Sequence, residues 1–205
     1  MAVSVFDKYA NEYQAKFMDV GLYHDTFDLF CDNIKKENAD ILDIACGPGN
    51  ITQYLLKKRP DFNILGIDLA PNMIHLAKIN NPSAEFQLLD GRDIGTLPRK
   101  FDAVMCGFCL PYLSKEESVK LISDAASLLK PDGMLYLSTM EDDYSKSGIE
   151  SSSAGDQVFM HYHQEDYLTE ALVDNGFNII DVQRKCYPGK NDTITTDLVI
   201  IAGHS

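Results

Sequence analysis

The chain has 205 residues, 45% of them apolar, and a formal net charge of −13. That length supports one well-filled core rather than two, so residues 1–205 are expected to form a single domain. The charge opposes counterion-driven binding to DNA or RNA. No apolar run reaches the roughly 18 residues of a membrane span, the N-terminal stretch lacks the order of a secretory signal, and five cysteines at low density fit free thiols in the cytoplasm.

Apolar residues at helical spacing predict helices over 6–18 and 23–36, the second through Phe27, Phe30, Cys31 and Ile34. Residues 39–45 are apolar apart from two aspartates and end in glycines, as a strand buried on both faces does. Helix 50–58, strand 63–68, helix 71–79, strand 84–89, a loop and strand 101–106 follow. Ser114 and Glu117 form a capping box opening a helix that Pro131, Asp132 and Gly133 end before strand 134–139. Residues 141–157 are polar and without periodicity, which predicts a loop. Helix 164–175 stops at Gly176, and strands 177–185 and 195–202 close the chain as a hairpin. Alternating strands and helices imply an α/β domain with parallel pairing and right-handed crossovers.

The segment Ile41-Leu-Asp-Ile-Ala-Cys-Gly-Pro-Gly-Asn50 runs a buried strand into a glycine turn at a helix N-terminus. Gly47 and Gly49 let a ligand lie against the backbone, although two glycines after a strand also make an ordinary tight turn. Asp68 ends the second strand about twenty residues on, where a carboxylate accepts bonds from both hydroxyls of a ribose, so the pair points to a nucleoside cofactor. A dinucleotide site needs a third glycine, and Thr52 stands in that place. Asp43 would face a pyrophosphate unfavourably but suits the ammonium of a methionine moiety, directly or through water. The balance favours S-adenosylmethionine.

Residues 43–49, Asp-Ile-Ala-Cys-Gly-Pro-Gly, resemble the first motif of the class I S-adenosylmethionine-dependent methyltransferases, with Ala45 where the family usually has its first glycine. Leu65-Gly-Ile-Asp-Leu-Ala-Pro-Asn-Met-Ile74 is similar to the family's ribose motif, and Leu89-Asp-Gly-Arg-Asp-Ile94 to its adenine motif. Phe101-Asp-Ala-Val-Met-Cys-Gly-Phe-Cys-Leu110 and Leu128-Leu-Lys-Pro-Asp-Gly-Met-Leu-Tyr136 continue the resemblance to about residue 140. It implies a three-layer, doubly wound Rossmann-like sheet of seven strands in the order 3-2-1-4-5-7-6, the last strand antiparallel. It further implies S-adenosyl-L-methionine held by Asp43, Ala45, Cys46, Gly47, Gly49, Asp68, Leu69, Met73, Asp90, Gly91, Cys106 and Gly107, with Asp90 accepting from the adenine amine.

Methyl transfer from a sulfonium is an in-line displacement that requires alignment and exclusion of water but no nucleophilic side chain. The resemblance places a small-molecule acceptor between an N-terminal helical cover, residues 1–36, and a substrate loop, residues 141–163. Tyr9 and Tyr13, four apart on a predicted helix, and His161 and His163, which flank Tyr162, are the substrate-side candidates; helix packing and a surface histidine pair are the competing explanations. No metal site is expected. Three rival functions remain at this point: a thiol-redox or metal protein using Cys106 and Cys109, a noncatalytic S-adenosylmethionine sensor, and a nicotinamide oxidoreductase.

Overall fold

Five largely apolar runs form the parallel strands of the sheet: β1 (Asp40–Ile44), β2 (Asn63–Asp68), β3 (Glu85–Leu88), β4 (Phe101–Cys106) and β5 (Leu129–Met140). In the computed structural model, which describes residues 2–151, 155–189 and 194–204, β8 (Phe177–Pro188) and β9 (Ile194–His204) complete a seven-stranded sheet of order β3-β2-β1-β4-β5-β9-β8. The expected order 3-2-1-4-5-7-6 is the same arrangement, because a separate hairpin, β6 (Gly148–Ser151) with β7 (Gln157–Met160), raises the last two numbers. β9 runs antiparallel to both β5 and β8.

Strand alternation divides the core into two layers of helix packing. On one face Ile41, Ile64, Met105 and Tyr136 meet α3 (His24–Asn33) and α4 (Asn50–Lys58) through Phe27, Phe30, Ile51 and Leu55. On the other, Leu42, Ile44, Val104 and Leu135 meet α6 (Lys115–Leu128) and α7 (Glu165–Asp174) through Leu121, Ile122, Leu168 and Leu172. α5 (Pro71–Asn80) covers the β2 and β3 end through Ile74 and Ala77. The strand order reverses between β1 and β4, and in such sheets the crevice at the strands' carboxyl ends at this point is where ligands sit.

Three elements differ from the sequence expectation. The N-terminal helix breaks at Tyr9 into α1 (Ala2–Lys8) and α2 (Ala10–Phe17), with Tyr9 at φ −109°. Helix α6 ends at Leu128 and β5 begins at once; its pairing with β4 shifts register between Phe101 and Ala103, opposite the Lys130 to Gly133 stretch in which Asp132 takes φ +60°. The polar stretch read as a loop holds a 3-10 turn (Tyr144–Lys146) and the β6–β7 hairpin, in which Ile149 pairs with Phe159 across the strands. Four-residue strands are too short for alternation to stand out among serines and acids. Among the described residues no helix is long and apolar enough to cross a membrane.

Candidate active site

The turn after β1 is held open by backbone geometry that few side chains tolerate. Ala45, Gly47 and Gly49 take φ +54°, +53° and +79°, a run of left-handed residues that turns successive backbone groups towards the crevice. For Ala45 that conformation costs about 1–2 kcal/mol, since its Cβ crowds the following carbonyl. Gly49 serves packing rather than the crevice: a Cβ there would lie 2.3 Å from Asn81 Nδ2, which donates to the Gly49 carbonyl at 2.9 Å.

Asp68, at the end of β2, ties the turn to α5. Its Oδ2 accepts from the Gly47 amide at 3.0 Å and its Oδ1 from the Ala70 amide at 2.8 Å. Burial raises its carboxyl above the ordinary value, against those backbone bonds. Asp90, after β3, accepts from the Arg92 guanidinium at both oxygens, the shortest bond being 2.6 Å. Burial opposes its charge, and Arg92 outweighs it, so Asp90 stays below the usual range. Both acids, with Ala45, Gly47, Leu69, Met73, Gly91 and Gly107, line one cavity of about 440 Å³.

Asp43, on β1 two residues before the turn, does not line that cavity. It is 1% exposed, its Oδ2 accepts from the Thr52 hydroxyl at 2.5 Å, and its Oδ1 has no partner. Burial pushes its carboxyl up to about 7. A buried carboxylate oxygen left unpaired under an open turn is a site for a cation or a bridging water, and it fits the ammonium of an amino-acid moiety. Thr52, where a dinucleotide site has glycine, is occupied by this bond.

Four residues expected at the cofactor do not line the cavity: Asp43 and Gly49, and also Cys46 and Cys106. The Cys46 side chain packs with Ile74, Ala77 and Phe86, away from the cavity, and Cys106 is fully buried in the layer beneath it. Hydrogen bonding to Cys109 and burial hold the Cys106 thiol well above its ordinary range, the opposite of the thiolate that redox or metal chemistry needs. All five cysteines are free, and among the described residues no group of three or more His, Cys, Asp or Glu could hold a metal ion.

The other half of the cavity is aromatic and apolar. Val3 and Phe6 come from α1, Tyr112 and Leu113 from the turn after β4, and Ile149, Val158 and Phe159 from the hairpin. Phe6 meets Tyr13 and Tyr112 edge-on at 5.8 and 5.0 Å. Of the substrate-side candidates, Tyr13 and His161 line the cavity, whereas Tyr9 and His163 do not. Burial pushes Tyr13 up to about 12, helped by Asp68. Tyr9 instead donates to Asp156 at 2.6 Å, joining α1 to the hairpin segment.

His163 is fully buried: its Nε2 donates to the Leu110 carbonyl at 2.8 Å and its Nδ1 accepts from Tyr167. Burial pushes it down to about 4, so it is a neutral structural ring. Sequence reasoning missed Phe6, Phe108 and Tyr112. Phe108 is marked by structure rather than by sequence: it stands two residues past the end of β4 and takes φ +59°, rare for a bulky residue.

The protein-family description "Methyltransferase domain" matches residues 41–133, the stretch that carries β1 to the start of β5 and all the turns of the glycine-loop half. A ubiquinone biosynthesis O-methyltransferase of Hydrogenovibrio crunogenus is 30% identical over 162 residues, covering 75% of this chain and 65% of that protein. The chain belongs to the class I S-adenosylmethionine-dependent methyltransferases. A malonyl-acyl-carrier-protein O-methyltransferase of Priestia megaterium is 30% identical over 185 residues, 82% of this chain and 66% of that one. The chain spans about two thirds or less of the length of the curated relatives it matches, 36% in one case. The crystal structure of the Burkholderia thailandensis 1,6-didemethyltoxoflavin-N1-methyltransferase, with 1,6-didemethyltoxoflavin and S-adenosylhomocysteine bound, superposes with a TM-score of 0.72 at 21% identity, covering 100% of this chain and 87% of that one. At that identity the likeness speaks for the fold of the methyltransferase domain.

Proposed function

We propose that this domain binds S-adenosylmethionine and transfers its methyl group by in-line displacement to a small, uncharged acceptor with an apolar body. One observation carries the reading: a single cavity joins the glycine-turn residues and Asp68 to a chamber walled by Phe6, Tyr112, Val158 and Phe159. Asp68 and Asp90 would take the ribose and adenine, and Asp43 the ammonium. When bound, the cofactor supplies an electrophilic methyl group on a positively charged sulfur. The chain's own work is then to orient the acceptor and keep water out.

The charge of the acceptor follows from what surrounds the chamber. Glu141 is held bidentately by Arg184, Asp142 by Lys146, and Asp143 caps the following turn through the Ser145 amide. None of the three lines the cavity, so they neither repel anions nor recruit cations there. Arg92 is the cavity's cation, and it is committed to Asp90 and Glu117. Among the described lining residues, an anionic acceptor would lose hydration with no free cationic side chain to replace it.

Residues 1–36 and 141–163 act in this reading as cover and substrate loop, with the Tyr9 to Asp156 bond joining them. Free thiols suit a cytoplasmic setting, and the net charge of −13 argues against a nucleic-acid acceptor. The test is a metabolite panel of matched neutral and anionic aromatic compounds, scored for release of S-adenosylhomocysteine. Neutral members should turn over and their carboxylated or phosphorylated partners should not; the reverse order contradicts the acceptor class, and cofactor binding without any turnover favours a sensor.

A further inference from the structure

We infer that His161 is the general base of this domain and that the acceptor carries an ionisable O–H or N–H, an inference that rests on the methyl-transfer reading above.

The cavity contains few groups able to take a proton. Asp68 and Asp90 lie in the glycine-turn half, bonded to backbone amides and to Arg92. Burial pushes Tyr13 up to about 12 and raises Tyr112 as well, so both remain protonated donors near neutral pH. Cys109 is 6% exposed and faces Cys106. That leaves His161, which lines the aromatic half.

Its position is built rather than incidental. The His161 amide donates to the Pro111 carbonyl at 2.8 Å, fixing the backbone against the turn after β4. The ring lies 4.7 Å from Phe159 and 5.9 Å from Tyr144, stacked on the latter with planes 23° apart. Nδ1 is 3.4 Å from the Tyr144 hydroxyl, and among the described residues no partner is recorded at Nε2, which is the ring nitrogen left for an acceptor.

The electrostatics suit proton capture. Burial lowers His161 from its ordinary value, so the ring enters the reaction neutral at pH 7. Glu117 and Glu116 of α6 act in the opposite sense and favour the imidazolium once it forms. Lys115, whose ammonium stands 5.4 Å from the centre of the Tyr144 ring, and neutral His163, 6.3 Å from His161, are nearby titratable groups, with Tyr144 itself, Asp142, Asp143 and Lys146 on the adjoining turn and Glu150 on the hairpin.

The step balances as follows. A lone pair on the acceptor oxygen or nitrogen bonds to the methyl carbon while the carbon–sulfur bond breaks, its electron pair staying on sulfur. The acceptor proton passes to His161 Nε2 and then to bulk water. Without that transfer the product would be a protonated ether or ammonium in a chamber with no free anion.

The experiment follows S-adenosylhomocysteine release over pH 5–9 for wild type, His161→Asn and His161→Gln. The panel comprises substituted phenols and heteroaromatic N–H compounds beside aprotic thioethers and tertiary amines. Calorimetry with S-adenosylhomocysteine is run on each protein. Turnover should be confined to protic acceptors, with an ascending pH limb below pH 6.5 in the wild type. Both variants should lose about a hundredfold or more in kcat and lose that limb, while KM and cofactor affinity stay within about threefold, and added imidazole should restore part of the rate. A variant kcat within about threefold of wild type, an unchanged pH limb, turnover of aprotic acceptors, or no turnover of protic ones by a protein that binds the cofactor would each overturn the inference. Wild-type protein that binds no S-adenosylhomocysteine would instead overturn the reading beneath it.

Discussion

Replacing Asp43 with Asn separates what this buried acid does for the cofactor from what it costs the fold. Its carboxyl is 1% exposed, accepts one bond from Thr52 and leaves Oδ1 unpaired. Burial moves it from the ordinary 3.8 to about 7, and at about 1.4 kcal/mol per unit the charged form costs at most about 4 kcal/mol. The sign follows from proton counting: the folded state keeps its proton up to about pH 7, whereas the unfolded chain releases it near pH 4. Stability from this group is therefore full below pH 4 and is lost as pH rises through 7. Asn keeps the shape and can still accept from Thr52 but has no charge to bury. Urea unfolding of both proteins from pH 4 to 9 should give equal stabilities at the acid end and a gap favouring Asp43→Asn that grows to between about 2 and 4 kcal/mol above pH 7. On the proposed contact between the ligand's ammonium and the carboxylate, saturating S-adenosylhomocysteine should narrow the gap, and the variant should bind that ligand at least tenfold more weakly. A gap independent of pH would mean that Asp43 is not a buried acid with a raised pKa.

Asp68→Ala removes a carboxylate that anchors the Gly47 amide as well as any ribose, and calorimetry should show cofactor affinity reduced at least tenfold in a folded protein. Ala45→Gly relieves a left-handed residue at φ +54°; after subtracting glycine's greater freedom in the unfolded chain, urea unfolding should show a gain of about 0.5 kcal/mol. Hydrogen exchange should find α1, α2 and the β6–β7 hairpin faster than β1 in the free protein and slowed by S-adenosylhomocysteine, and Tyr9→Phe, which cuts the bond to Asp156, should speed both segments. Equal protection with and without ligand would make the cover a fixed wall.

The glycine-turn half of the site was legible because its chemistry is local. A buried strand, a turn needing positive φ and an acid at the next strand end are each written in a few consecutive residues, and the sheet order follows from strand–helix alternation with right-handed crossovers. The aromatic half was not, because its walls come from segments far apart in the chain, such as Phe6, Tyr112 and Phe159, that meet only after the sheet has formed. Spacing puts Tyr9 and Tyr13 on one helix face, but the break at Tyr9 sends its hydroxyl to Asp156 while Tyr13 enters the cavity. His161 and His163 look alike in sequence. They part because Leu110 and Tyr167 engage both nitrogens of His163, partners that no spacing rule reveals.

The most direct measurement is a calorimetric titration of the purified chain with S-adenosylhomocysteine and, separately, with NAD. One equivalent of S-adenosylhomocysteine should bind with a micromolar Kd, about −8 kcal/mol, and NAD should show no saturable binding at millimolar concentration. Preference for NAD, or no heat with S-adenosylhomocysteine from a protein whose unfolding remains cooperative, would contradict the cofactor assignment.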